Sequence, residues 1–103
     1  MRKPLVAGNW KMNLELGRGA ALVAELLPLV ADSTDMVDVV VCPTNIGLAA
    51  ASAALAGSGG TLGAQNCHWE EAGAFTGEVG PGMLLTVGCQ WVIIGHSERR
   101  LLF

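Results

Sequence analysis

The sequence predicts an α/β fold of four parallel strands with intervening helices, about half of a closed (β/α)8 barrel. Three observations carry this. Four short apolar runs begin at residues 5, 36, 61 and 91, a spacing that suits successive βαβ units. The intervals between them carry helical periodicity or helix-favouring composition. At roughly 26 residues per unit, eight units approach the ~250 residues of a closed barrel, so 103 residues make nearly half of one.

The first strand is Leu5-Val6-Ala7. Between it and the next, Leu22, Val23, Leu26, Leu27 and Val30 recur at helical spacing, and Pro28, which lacks an N–H, should end or kink that helix near Leu27. The second strand spans Met36 to Cys42 and is rich in β-branched valine. Thr44 and Asn45 then offer N-caps to an Ala-rich helix from Leu48 to Ala56, which Gly57 stops. The third strand is Thr61 to Asn66, followed by a long irregular stretch from Cys67 to Glu78, and loops of that length usually carry function. Pro81 suits the first position of a short helix through Met83-Leu84-Leu85, ended by Gly88. The fourth strand is Trp91 to Ile94, with no further helix expected after it.

Composition excludes several classes. Residues of the set AVILMFWYC make up 51% and charged residues 15%, against about 25% charged in a typical domain, so a disordered chain is excluded. The net charge is −3 with six basic residues and no basic stripe, which argues against a nucleic-acid partner. The longest charge-free run, Val39 to Trp69, is broken by Pro43, Asn45, three glycines and Gln65, so no membrane span is expected. The basic start Met1-Arg2-Lys3-Pro4 leads into a short apolar patch rather than a signal-peptide core, and a cytoplasmic location is the default. Cys42, Cys67 and Cys89 are odd in number and lack a C-x-x-C pair, which reads as buried reduced thiols. The apolar excess exceeds what a small single domain hides, so the chain is expected to belong to something larger.

Two polar clusters follow strands, where α/β sheets bind ligands. Gly8-Asn9-Trp10-Lys11-Met12-Asn13 follows the first strand; Lys11 is either a solvated turn lysine or a cation aimed at an anionic substrate, with Asn9 and Asn13 as hydrogen-bonding groups. Gly95-His96-Ser97-Glu98-Arg99-Arg100 follows the fourth strand at the same rim. His96 there is either a structural residue capping a turn or a donor to a carbonyl or enediolate oxygen, the clustered polar residues favouring the second, and Ser97-Glu98 suits a helix start whose positive end favours a neutral imidazole. Arg99 and Arg100 read as ion-pair partners of Glu98 or Glu78. In the long loop, glycines flank Ala74-Phe75-Thr76, so its apolar tip either inserts into a partner or folds on its own surface. His68 reads as a surface residue without metal-ligand company.

Asn9-Trp10-Lys11-Met12-Asn13, Ala64-Gln65-Asn66, Gly73-Ala74-Phe75-Thr76-Gly77-Glu78 and Gly95-His96-Ser97-Glu98-Arg99-Arg100, in that order and spacing, resemble the triosephosphate isomerase family. The resemblance covers essentially all of residues 1–103 and extends to the N-terminal part of the family's TIM barrel, roughly four of its eight βα units. It implies interconversion of dihydroxyacetone phosphate and glyceraldehyde 3-phosphate, in glycolysis and gluconeogenesis, through an enediol(ate), with no cofactor and no metal. Lys11 matches the family lysine that stabilises phosphate and developing negative charge, Asn9 lines the substrate site, and His96 matches the electrophilic histidine. This family is itself the standing case of a catalytic histidine kept neutral by a helix N-terminus, a property that comes with the resemblance. Glu98 matches an organising charge beside the lysine, with Ser97 supporting. The resemblance also implies a homodimer, with Asn13, Gln65, Phe75, Thr76, Glu78 and Arg99 at its interface. Thr76 would reach the partner's site near the asparagine matched by Asn13, and Glu78 would pair with Arg99.

The family's catalytic glutamate, lid loop and later phosphate-binding amides have no counterpart in these residues, so the 103 residues alone are expected to be inactive. The alternative is a non-catalytic half-barrel module that self-associates or complements a second chain through its open edges. A flavodoxin-type binding domain would need a glycine-rich first loop, which Asn9 to Asn13 is not.

Overall fold

A computed structural model of the chain describes residues 2–103; Met1, the first residue of the basic start, lies outside them. Strands β1 (Leu5–Asn9), β2 (Asp38–Cys42), β3 (Thr61–Ala64) and β4 (Cys89–Val92) form one sheet in the order β1-β2-β3-β4. All three pairings are parallel. Helices α1 (Leu16–Val30), α2 (Leu48–Leu55) and α3 (Pro81–Thr86) connect the strands, and α4 (Ser97–Leu102) follows β4. This is the α/β order of a partial (β/α)8 barrel, and every strand delivers its C-terminal end to one rim.

The core lies between the sheet and its helices. Val41, Leu62, Ala64 and Cys89 from the sheet meet Val23 of α1, Leu48, Ala51 and Leu55 of α2, and Leu84 of α3, all buried. Burying each valine or leucine of this set is worth about 1.5–3 kcal/mol. On the sheet's other face the backbone of Gly63 comes so close that a Cβ there would lie 2.8 Å from Cys42 Sγ, 3.0 Å from Val40 Cγ1 and 3.3 Å from Trp91 Cβ. Trp91 Nε1 donates to Thr61 Oγ1 (3.0 Å), and that hydroxyl donates to Val39 O (2.9 Å).

Four local expectations need correction. Of the two outcomes expected at Pro28, an end or a kink near Leu27, the end is overturned: helix α1 runs through Pro28 to Val30. Pro28 sits in the last turn, where the carbonyl it leaves without a partner belongs to the exposed Ala24, so solvent can supply the lost bond. Thr44 and Asn45 do not cap α2: Asn45–Gly47 form a 3-10 turn that runs into it, and the Thr44 side chain makes no capping bond. Strand β4 starts two residues earlier than read. Its register against β3 slips between Leu62↔Cys89 and Gly63↔Trp91, leaving Gln90 as a bulge residue. Finally, a helix does follow β4, capped by the His96 side chain.

Pro81 takes the first position of α3 after Gly80, and Gly57 and Gly88 hold the positive φ that ends α2 and α3. Cys42 and Cys89 are buried and Cys67 half-buried, all as free thiols. Among the described residues no helix is long and apolar enough to cross a membrane.

Candidate functional site at the strand C-termini

The loops leaving the four strands enclose a cavity of about 270 Å3. Its walls bring together Asn9, Lys11, Gln65, Glu78, His96, Glu98 and Arg99, which the sequence had singled out from four separate segments.

Lys11 stands at the centre of the local geometry. Its φ is +56°, the left-handed region that costs a non-glycine residue about 1–2 kcal/mol. Two contacts hold it there. Its N–H donates to Asn9 Oδ1 (3.0 Å), closing a turn over the side chain two residues back. Its carbonyl accepts from Gln65 Nε2 (2.8 Å), and the same amide nitrogen donates to Cys42 O (2.9 Å). Gln65, just past β3, thus ties the ends of β1 and β2 to its own strand. The Lys11 ammonium meets Glu98 Oε2 at 3.1 Å, with both side chains about half exposed. An exposed pair of this kind adds ~1 kcal/mol or less to stability, so its consequence is the placing of a cation at the cavity wall.

His96 is the N-cap of α4. Its Nδ1 accepts the Glu98 backbone N–H at 3.0 Å, which requires a bare Nδ1 and leaves the ring proton on Nε2. The Glu98 Oε1 carboxylate oxygen also lies 3.4 Å from Nδ1, an approach that would count only if Nδ1 carried a proton. The N–H bond is the shorter contact, and the same carboxylate is already engaged by Lys11. A neutral imidazole with Nε2–H is therefore the form this geometry holds, and such a group donates a hydrogen bond to an oxygen without surrendering its proton.

Other expected site residues lie elsewhere. Asn13 folds back, its Nδ2 donating to Trp10 O (2.8 Å). Ser97 is the exposed first residue of α4, and Thr76 is exposed on the long loop. The ring of Phe75 packs on His68, with centroids 4.3 Å apart, so the loop tip folds against its own base within this chain. Three expectations are overturned. His68 is buried rather than on the surface, because the loop wraps over it. Glu78 does not pair with Arg99: it faces His68 Nδ1 at 3.8 Å, while the Arg99 guanidinium lies over the Phe103 ring at 4.7 Å. Among the described residues neither Arg99 nor Arg100 forms an ion pair with Glu98 or Glu78.

The sequence reading missed Thr44, Asn45, Asn66, Gly77 and Val79, which also line the cavity. For Thr44 and Asn45 a usable signal existed. They directly follow β2, and parallel strands deliver such residues to the same rim as Lys11 and His96. Among the described residues there is no group of three or more His, Cys, Asp or Glu side chains that could hold a metal ion.

A family model described as triosephosphate isomerase matches residues 4–103. The triosephosphate isomerases of Clostridium beijerinckii and Pelobacter propionicus are each 55% identical over all 103 residues, and that of Geobacter metallireducens is 52% identical. The chain spans about 41% of the length of these curated relatives. The crystal structure of triosephosphate isomerase from Bartonella henselae superposes with a TM-score of 0.82 at 38% identity, covering 96% of this chain and 40% of that one.

Proposed function

The chain belongs to the triosephosphate isomerase family, and on that premise we propose that its cavity is the substrate-binding part of a triose-phosphate isomerase site. The substrate is a phosphorylated triose, interconverted between dihydroxyacetone phosphate and glyceraldehyde 3-phosphate by proton transfer through an enediol(ate), as a cytoplasmic step of glycolysis and gluconeogenesis. The observation that carries this is one cavity holding a strained lysine and a neutral, Nε2-protonated histidine. Lys11 places positive charge against the phosphate and the developing oxyanion. His96 donates from Nε2 to the substrate oxygens as charge moves between them. Asn9 and Gln65 hold the Lys11 backbone, and Glu98 holds its ammonium. Ser97 supports the turn that presents His96. No step calls for a cofactor or a metal.

Of the two cavity carboxylates, Glu98 pairs with the Lys11 ammonium and Glu78 lies on the loop arm 3.8 Å from His68, and neither matches the family's base. The 103 residues alone are accordingly expected to bind substrate weakly and to turn over negligibly. The binding half is tested by NMR titration with glycerol 3-phosphate, a non-reacting triose phosphate. Saturable shifts at Asn9, Lys11 and His96 that vanish in Lys11→Met support the reading. An unchanged titration in Lys11→Met refutes it. Turnover by the purified 103-residue chain, with a base-directed label landing on one of its own residues, refutes the expectation of inactivity.

The same family reading gives a homodimer built on the loop from Cys67 to Glu78, with Asn13, Gln65, Phe75, Thr76, Glu78 and Arg99 near the contact. Support comes from Met12, Ile46 and Trp69, large apolar side chains left exposed on the loops beside the cavity. A second reading has its own observation. Strands β1 and β4 each have one neighbour, and Leu5, Val6 and Val92 on them are exposed, as is Ile94 just beyond β4. Edges of this kind suit a half-barrel that complements another chain. Sedimentation separates the outcomes: a monomer at high concentration counts against both, and association lost on deleting Gly73 to Gly77 favours the loop.

A further inference from the structure

Among the described residues His68 is the one buried side chain of the polar and charged class, and the proposed chemistry does not use it. It is 8% exposed, and its Nε2 is buried without a hydrogen-bond partner. A bare buried polar nitrogen is unfavourable, so its position calls for a reason. Its contacts supply one. The His68 ring lies 4.3 Å from the Trp69 ring and 4.3 Å from the Phe75 ring. Its Nδ1 faces Glu78 Oε1 at 3.8 Å, and its backbone N–H donates to Val79 O at 2.9 Å. The loop therefore closes on His68 at two places, Phe75 on its ring and Val79 on its backbone N–H, with Glu78 alongside, and the segment carrying Gly77, Glu78 and Val79 is also a wall of the Lys11–His96 cavity.

The rest of the loop is shaped to permit this closure. Gly73 has φ +140°, and a Cβ there would lie 2.7 Å from Phe75 Cε2, so only glycine lets the Phe75 ring lie across the loop. At the base, a Cβ on Gly80 would meet the Glu70 and Glu71 carbonyls at 3.0 and 3.1 Å, so the two arms approach backbone to backbone. Neither glycine supplies a side chain to fix the arms in register. His68 does.

We infer that His68 is a positioning residue: its ring fixes the Phe75–Val79 arm and thereby the Gly77–Val79 wall of the cavity. This rests on the reading of that cavity as the ligand site, but its structural half is testable apart from any ligand. The ring rather than the nitrogens does the holding, since 3.8 Å is too long for a hydrogen bond and Nε2 has no partner. A phenylalanine should therefore replace the histidine and an alanine should not.

The test is NMR on the 103-residue chain. The wild type is expected to show NOEs between the His68 and Phe75 rings. His68→Ala should lower the exchange protection of the Glu78 N–H, which donates to Phe75 O at 2.9 Å, by about tenfold. It should also shift the Gly77 to Val79 resonances and weaken inorganic phosphate binding. His68→Phe should restore all three. Absent wild-type NOEs, an unmoved loop in His68→Ala, or a folded His68→Phe that fails to restore the loop each overturns the assignment. If His68→Ala does not fold, the NOEs and the His68→Phe comparison decide. If phosphate binds none of the proteins while the loop responds as described, the ligand reading fails and the positioning role stands.

Discussion

Replacing Lys11 by glycine should leave the fold more stable than replacing it by alanine. The two variants lose the same ammonium and the same exposed pair with Glu98, so side-chain electrostatics cancel between them. What remains is the backbone at φ +56°. Alanine keeps the Cβ that makes this region cost about 1–2 kcal/mol, and glycine removes it. Glycine gives back about 0.5–1 kcal/mol through the greater freedom of its unfolded chain. The net advantage of glycine thus centres on about 0.75 kcal/mol, or a Tm difference of ~3–6 °C for a domain near 100 residues. Urea midpoints of the two variants in one buffer measure it. A second arm tests the cause. Asn9→Ala removes the side-chain oxygen that accepts the Lys11 N–H, which should cost about 1 kcal/mol beside lysine and clearly less beside glycine. Equal midpoints for the two Lys11 variants, or an Asn9→Ala cost independent of residue 11, would show that no strain is stored there.

Three further outcomes follow from other parts of the fold. Gly63→Ala puts a methyl 2.8 Å from the buried Cys42 sulfur, and a loss of about 1–3 kcal/mol is expected in a denaturant titration; an unchanged midpoint would mean the two strands are not that close. Burial pushes the Cys42 and Cys89 thiols up from 9.0, with each other's proximity adding to Cys42. The folded chain then holds its thiol protons where the unfolded chain releases them, so stability should be flat below about pH 8 and fall as pH rises past 9; a Cys42→Ala, Cys89→Ala double variant with an undiminished fall would contradict this. Thr61→Val removes the hydroxyl that accepts from Trp91 and donates to Val39 O, and should cost about 1–3 kcal/mol while shifting the tryptophan fluorescence; a silent substitution would refute the relay.

The parts legible in the sequence were those set by local periodicity. Valines at Val39 to Val41 name a strand, Ala49 to Ala54 a helix, and Gly80-Pro81 a helix start, because each property is decided within a few residues. Errors fell where a distant partner decides. The bulge at Gln90 exists because β4 must match β3, which β4's own residues do not encode. His68 reads as a polar surface residue until Phe75, seven positions on, is folded over it. The side chain that caps α4 is that of His96, and its two sequence readings, turn cap and proton donor, turn out to be compatible. For Gln90 and His68 the deciding contact is tertiary, whereas the His96 cap is made locally, to the N–H two residues on.

That last case bears on how the site is built. The bond that caps α4 and the bond that fixes the His96 tautomer are one bond, from the Glu98 N–H to Nδ1. The carboxylate of Glu98 in turn holds the Lys11 ammonium, while the Lys11 backbone is strained and held by Asn9 and Gln65. A cation and a proton donor are therefore oriented by one glutamate, through its backbone toward the histidine and through its side chain toward the lysine. Glu98→Gln separates the two functions. It keeps the N–H and should leave the His96 ring proton on Nε2, visible in its ¹⁵N shifts, while freeing the lysine and weakening phosphate binding. If the histidine tautomer changed in Glu98→Gln, the carboxylate and not the backbone would be setting it, and the neutral imidazole derived from the 3.0 Å bond would be wrong.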